Sequence, residues 1–479
     1  MLDFQLILNP YNPWWDASGA VFESPLPPFH RPIFSTLVDD LQRIPQMLSI
    51  TGPRRIGKST LLQQMIRYLL RGGVQPQRII YYQFDDPALS TSKIKVHELI
   101  DFVVKIVLKH KKEGPTFLFL DEIQRLDRWE LYLKKYYDLK YPMSVVISGS
   151  ASSPIFKRSR ESLLGRIKDY HLLPFSFREY VLYHLREEPA LVSEVDELYE
   201  KGKTIRGMLA EDPSVETEKV GLAPPHPPLQ ERLDSLLKKF FLEGGFPEVW
   251  TLPDWATKQE YLYDNQVKKV IYEDLVLAAE FRKPELLKRF YISLLEMPGR
   301  EINVQSVAKE TQVKAQQIDK YIPLLEMTDL VYRISKFRAR PLRIRKGMMK
   351  FYLVDLALRN AVLRLTETLL VDSTTLGLYA ENMVFLALKK WRGTIQMDYY
   401  RERHGDVDFI VHIGPQRFLP VEVKYRNVLS PQDFRGIRHF AARFSKSVQP
   451  IVVTKEWSDF GKREDTFLIP LPLFLLLFD

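Results

Sequence analysis

Between Leu48 and about Phe177, short apolar runs alternate with stretches of helical period. The runs are 48–51, 79–84, 116–120, 145–148 and 171–173. After the first, Leu61, Leu62, Met65, Ile66 and Leu69 recur at helical spacing, and Gly72-Gly73 offers a stop. Apolar strands joined by helices predict a parallel sheet covered on both faces. Residues 1–45 break the pattern with Pro10, Pro13, Trp14, Trp15, Pro25, Pro27 and Pro28, and read as an irregular arm on this first domain. Residues 186–230 are acid-rich (Glu187, Glu188, Glu194, Asp196, Glu197, Glu211, Asp212, Glu216, Glu218), end in Pro224-Pro225-His226-Pro227-Pro228, and read as an insertion or mobile linker. Helical period resumes at 233–241 and 258–279.

Further on, Pro284 to Met297 sets Leu286, Leu287, Phe290, Leu294 and Leu295 on one helical side, and Pro298-Gly299 breaks it. Asn303 can cap a short helix, Ala315 to Met327 forms a third, and β-like runs follow at 330–334 and 350–354. From about 372 the order is helix, several strands, helix, strand. The chain reads as multidomain α/β: an arm (1–45), a parallel-sheet core (46–185), the acidic segment (186–230), a helical lid (231–283), a three-helix-and-hairpin unit (284–355) and a C-terminal α/β domain (356–479).

The most informative stretch joins the first run to the first helix. Gly52-Pro53-Arg54-Arg55-Ile56-Gly57-Lys58-Ser59, followed by Thr60, matches GxxxxGK[ST] at every fixed position. Its glycines let backbone N–H groups face an anion, and the helix starting near Lys58 aims its positive dipole end there. Lys58 would meet the β- and γ-phosphates, and the Ser59 hydroxyl would ligate Mg²⁺. A second motif, Thr116 to Glu122, is a buried run ending in two carboxylates. Asp121 would reach the same Mg²⁺, and Glu122 would polarise the attacking water. Together they predict hydrolysis of ATP with Mg²⁺. The next run ends in Ser148-Gly149-Ser150; Ser148 or Ser150 could sense the γ-phosphate, or the pair could be a simple turn.

Composition narrows the class. The 479 residues are 45% apolar and 27% charged, as in an ordinary globular protein, and none is cysteine. Disulfides, thiol catalysis and cysteine-held metals are therefore excluded. Met1-Leu2-Asp3-Phe4 does not begin a signal peptide, and no apolar stretch reaches the roughly 20 residues of a membrane span. These points favour the cytoplasm and no membrane partner. The net charge is +9. Residues 281–350 hold sixteen Lys/Arg against seven Asp/Glu, so this one segment carries a surplus equal to that of the whole chain. Localised basic charge suggests nucleic acid, with a solvated basic face as the alternative.

The motifs together resemble a known family. Thr51 to Thr60, Leu120 to Gln124, Ser148-Gly149-Ser150, Glu161 to Arg166, Leu173 to Glu179 and Gly244-Gly245-Phe246-Pro247-Glu248 look like a prokaryotic family of extended AAA-class P-loop ATPases. The likeness covers most of the chain except the arm and the acidic segment, which is longer than members usually carry. It implies an AAA-type core and a C-terminal domain similar to PD-(D/E)XK nucleases. It also makes Arg166 a candidate arginine finger on a neighbouring subunit's nucleotide, hence a homo-oligomer, a ring being one form. An intradomain ion pair is the other reading of Arg166.

Two downstream regions fit that picture on their own residues. Three helices and a basic hairpin describe a winged helix, whose third helix would present Lys314, Gln316, Gln317 and Lys320 to DNA. Arg338, Arg340, Arg343 and Arg345 of the wing would hold phosphates. A winged helix used only for protein contacts is the alternative. In the last domain, Asp406 to Val411 and Leu419 to Lys424 read as paired strands. Glu422 and Lys424 share a face, and Asp408 can meet them. Two carboxylates and a lysine can hold Mg²⁺ or Mn²⁺ and activate water, and Glu381 resembles the acidic residue of the first nuclease helix. The favoured expectation is an ATPase gating a metal-dependent nuclease on DNA. The alternative is an ATP-controlled DNA- or protein-binding switch whose nuclease-like domain is silent.

Overall fold

The computed structural model describes residues 7–15, 26–86, 96–109, 114–126, 128–150, 162–211, 221–275, 284–338, 348–391, 396–403, 405–414, 416–444 and 447–479. The chain divides into two compact units, Met1–Leu173 with Tyr272–Arg282, and Pro174–Ile271 with Lys283–Asp479.

The first unit holds five strands, β1 (Met47–Gly52), β2 (Ile79–Gln83), β3 (Thr116–Asp121), β4 (Met143–Ser150) and β5 (Ile167–His171). Their order is β2-β3-β4-β1-β5 and every pairing is parallel. Helices Ile33–Arg43 and Lys58–Arg71 pack on β1 and β4. Elsewhere Ile80, Tyr82, Leu118, Leu120, Val145 and Ile147 form a core with Val103, Trp129 and Leu133. Alternate residues of each strand thus find apolar cover, which is why the strands read as unbroken apolar runs. The exception is β5, which precedes the expected run at 171–173. It is a half-exposed edge strand of mixed polarity, Ile167-Lys168-Asp169-Tyr170-His171, so no apolar run marks it. At the opposite edge the arm lies along β2. Asn12 exchanges hydrogen bonds with the backbone of Tyr81 (2.7 and 2.9 Å), and the indoles of Trp14 and Trp15 donate to Ile79 O. Side chains thereby occupy polar groups that an open edge would present to another strand.

The second unit is built on nine strands in the order β13-β14-β12-β11-β10-β9-β7-β8-β6. These are β6 (Glu301–Ile302), β7 (Val331–Lys336), β8 (Met349–Leu353), β9 (Met397–Glu402), β10 (Gly405–Gly414), β11 (Arg417–Lys424), β12 (Ile451–Thr454), β13 (Gly461–Arg463) and β14 (Thr466–Pro470). Helices Pro284–Glu296, Val304–Thr311 and Ala315–Met327 precede the β7–β8 hairpin, and Asn303 caps the second through Gln305 N–H. The hairpin does not end at a domain border. β7 pairs in parallel with β9 (Ser335 opposite Asp398), so one sheet runs through residue 355.

The acidic segment is not a linker over its described part. Pro189–Glu211 is one helix that buries Val195, Leu198, Ile205 and Leu209 and packs on the C-terminal helix Leu471–Leu477, where Arg206 donates to Leu477 O. Acidic side chains occupy its solvent face and mask an apolar stripe of period 3 to 4. Residues 212–220 lie outside the description. No helix among the described residues is long and apolar enough to cross a membrane.

Candidate functional site

The phosphate loop is shaped by its backbone. β1 ends at Gly52 with φ 146°, and a Cβ there would stand 2.1 Å from Leu172 O. No other residue fits so close a crossing. Arg55 (φ 63°) and Gly57 (φ 90°) complete the turn, Ile56 is buried as its anchor, and Arg31 holds the loop through Ile56 O (3.3 Å) and Leu173 O (3.1 Å). Gly57 opens helix Lys58–Arg71 without a side-chain cap, so this helix N-terminus keeps donors for an anion. Lys58 is buried, and its Nζ donates to Gly52 O (3.1 Å) and Pro53 O (2.7 Å). Arg54, Ser59 and Thr60 are half-buried on the same turn, and Arg55 is exposed.

The acidic pair sits two strands away, with β4 interposed. Asp121 is fully buried and held from three directions. Its Oδ1 accepts from Glu122 N–H (3.0 Å) and from the Ser148 hydroxyl, and its Oδ2 from the Tyr81 hydroxyl (3.1 Å). Burial and the adjacent Asp121 push the Tyr81 phenol far up, keeping it a proton donor. Ser148 lies opposite Ile50 of β1 in the strand register; its hydroxyl thus ties the acidic strand to β4, which pairs with the loop strand. Glu122 lies in the left-handed region (φ 52°), and Gln124 Nε2 donates to its carboxylate. Ser150 pairs with Gly52 through the backbone, but its side chain lies outside the description. Tyr81 escaped sequence reasoning because nothing in an apolar strand marks which side chain reaches the neighbouring strand's end.

Arg166 forms a two-pronged ion pair with Asp138, at 2.7 and 3.2 Å, within the same unit. On helix Ala315–Met327 and its N-cap, Lys314, Gln316 and Lys320 are exposed and Gln317 is half-buried. Arg338 is half-buried beyond β7, whereas Arg340, Arg343 and Arg345 lie outside the described residues.

The C-terminal residues do converge. Asp408 on β10 and Glu422 on β11 interlock: Asp408 N–H donates to Glu422 Oε2 (3.0 Å), and Val423 N–H to Asp408 Oδ2 (3.1 Å). Lys424 pairs with Glu422, and Glu381 comes in from helix Ser373–Lys390. A fifth member, Lys350 of β8, was not legible beforehand. Its Nζ donates to Glu381 Oε1 (2.9 Å) and Asp408 Oδ1 (3.2 Å), and the Tyr352 hydroxyl also donates to Glu381 (2.7 Å). Burial, then Asp408, pushes the Glu422 carboxyl up to about 8 and raises Glu381 as well. Burial alone would lower Lys350, but Glu381 and Asp408 outweigh it and hold its ammonium charged.

This set does not fit the expected metal as it stands. Asp408 Oδ1 and Glu422 Oε1 already meet cations, the ammonium groups of Lys350 and Lys424. Among the described residues no three His, Cys, Asp or Glu side chains are arranged to hold an ion. The expectation of Mg²⁺ or Mn²⁺ on Asp408 and Glu422 meets an ammonium instead.

Comparison with known proteins matches three stretches of the chain. An AAA domain family matches residues 45–181, and two domains of unknown function, DUF8612 and DUF4143, match 234–369 and 376–474. An uncharacterized protein of Methanocaldococcus jannaschii is 24% identical over 382 residues, 78% of this chain and 74% of its own. One from Haemophilus influenzae is 23% identical over 403 residues, 83% and 87% of the two chains. Among solved structures, a RuvB variant of Thermotoga maritima has TM-score 0.25 at 14% identity, covering 66% of this chain and 90% of its own. The replication initiator DnaA bound to AMPPCP and single-stranded DNA has TM-score 0.24 at 15%, covering 61% and 86%. Scores that low support no inference. The family match, the loop geometry and the β2-β3-β4-β1-β5 sheet agree on one statement: residues 45–181 are an AAA-class P-loop ATPase domain.

Proposed function

We propose that this chain is an ATP hydrolase whose nucleotide state switches its grip on nucleic acid, DNA being the expected partner. The observation that carries the proposal is that one parallel sheet carries both Lys58, seated in the loop after β1, and Asp121, at the end of β3 and tied to β4 through Ser148. Ser59 and Asp121 would hold Mg²⁺, which when bound supplies positive charge to the phosphates. Lys58 would give up its loop carbonyls for phosphate oxygens, a better match for an ammonium. Glu122, oriented by Gln124, would take the water's proton.

The nucleic-acid half rests on the basic segment and on element order. Helix, short strand, two helices and a hairpin follow one another from Pro284 to Leu353, the order of a winged helix. Lys314, Gln316 and Lys320 are exposed on its third helix. Oligomer formation through Arg166 requires that residue to leave Asp138. A second reading, an ATP-gated nuclease, is favoured by the convergence of Asp408, Glu422, Lys424 and Glu381; the Lys350 ammonium among them favours the switch.

The test is fluorescence anisotropy on labelled duplex DNA with ATP or ADP, alongside plasmid integrity in Mg²⁺ and Mn²⁺. The switch predicts nucleotide-dependent affinity and intact DNA. Affinity blind to nucleotide contradicts it, and cleavage abolished by Lys424→Ala establishes the second reading.

A further inference from the structure

Lys350 belongs to the stretch that matches DUF8612, whereas the carboxylates it meets belong to the DUF4143 stretch. Its side chain is only 6% exposed. A lysine so deep persists only if its charge is answered, and here it is answered on three sides. Glu381 Oε1 and Asp408 Oδ1 lie at 2.9 and 3.2 Å, and the Tyr399 ring centroid at 5.6 Å. The oxygens that Lys350 leaves on Asp408 and Glu422 accept Val423 N–H, Asp408 N–H and Lys424. Three carboxyl groups thus face two ammonium groups, with Lys350, Asp408, Glu422 and Lys424 carried on one sheet and Glu381 on helix Ser373–Lys390.

A divalent ion on Asp408 and Glu422 would need those same oxygens at about 2.0–2.1 Å. It would also stand beside the Lys350 ammonium, and like charges that close repel strongly in a dry interior. We propose that Lys350 is the resident cation of this cluster. Its ammonium holds Asp408 Oδ1, an oxygen that a metal on Asp408 and Glu422 would require, and bridges it to Glu381, so the C-terminal domain keeps a nuclease-like arrangement without binding metal. The inference deepens the switch reading above and rests on it only in calling the domain silent. Removing the ammonium while keeping the stem should turn the cluster into a divalent-cation site, because it leaves three carboxylates facing one lysine.

The experiment is a Mn²⁺ titration of the full-length, nucleotide-free protein, with bound ion read by electron paramagnetic resonance. Wild type, Asp408→Asn, Lys350→Met and the double variant are compared, with Lys350→Gln as a second neutral replacement. Wild type and Asp408→Asn should bind equally. Lys350→Met or Lys350→Gln should gain one ion per chain, lost again when Asp408→Asn is added. The proposal is overturned if wild type binds an ion that Asp408→Asn removes, or if folded Lys350→Met and Lys350→Gln proteins gain none. Should neither variant fold, the comparison of wild type with Asp408→Asn decides alone. No ATP is present, so the outcome is independent of whether the loop hydrolyses ATP.

Discussion

Tyr81 and Asp355 show how single buried groups set the terms for the sites around them. Tyr81 reaches from β2 to hold Asp121 Oδ2, a position fixed by the register Gln83 opposite Asp121. Tyr81→Phe keeps the ring and deletes one donor to a buried carboxylate, a loss of about 1–3 kcal/mol if felt in the transition state. ATP turnover should fall roughly tenfold or more with the fold intact, readable as kcat against near-UV circular dichroism. Asp355 is fully buried, caps helix Leu356–Leu363 through Ala357 N–H (2.7 Å) and accepts Gly245 N–H (2.7 Å). Burial nevertheless pushes its carboxyl up to about 6. Because this lies above the unfolded value of about 3.9, the folded state takes up the proton first as pH falls. The resulting stabilisation is complete below about pH 4 and is lost as pH rises through about 6, a change of at most about 3 kcal/mol. Urea unfolding of wild type and Asp355→Asn between pH 4 and 8 should show wild type gaining on the variant as pH falls. A constant difference would contradict the assignment.

Elements are joined by motifs that the sequence displays and by contacts that it hides. The Leu173 to Glu179 motif contains a capping box: Ser176 Oγ accepts Glu179 N–H, and Glu179 Oε2 accepts Ser176 N–H. Ser176→Ala should cost about 1 kcal/mol in thermal or urea unfolding. Gly244 sits at φ 65° and ψ −159°, and a Cβ there would fall 2.0 Å from Asp355 Oδ1. Gly244→Ala should therefore cost at least about 2 kcal/mol by the same measurement. Contiguity decides what could be read in advance. Gly52 to Thr60 and Asp121-Glu122 are runs whose chemistry and local structure coincide, so their placement followed from spacing. The Asp408, Glu422 and Lys424 set was legible through alternation on two paired strands. Lys350 was not, because it meets Glu381 and Asp408 across 31 and 58 residues from a strand that reads as part of a wing. The helix Pro189–Glu211 was obscured by its acidic face, although Val195, Leu198, Ile205 and Leu209 carry the period. β5 was displaced because an edge strand of mixed polarity makes no apolar run.

At the scale of the molecule, an ATPase domain is coupled in sequence to a second unit with its own sheet, basic helices and ion-paired centre. The two units keep separate features: a loop with the phosphate-loop pattern, and a carboxyl cluster already answered by lysines. A device that reports nucleotide state fits that division better than one that spends metal at both sites. Its root is the phosphate loop, and the nucleotide switch proposed above depends on it. The most direct measurement is steady-state phosphate release from ATP by wild type and Lys58→Ala, with Mg²⁺ and with EDTA. Wild type with Mg²⁺ should turn over, EDTA should abolish the rate, and Lys58→Ala should lose about 100-fold or more. Undiminished hydrolysis by Lys58→Ala would contradict the account at its base.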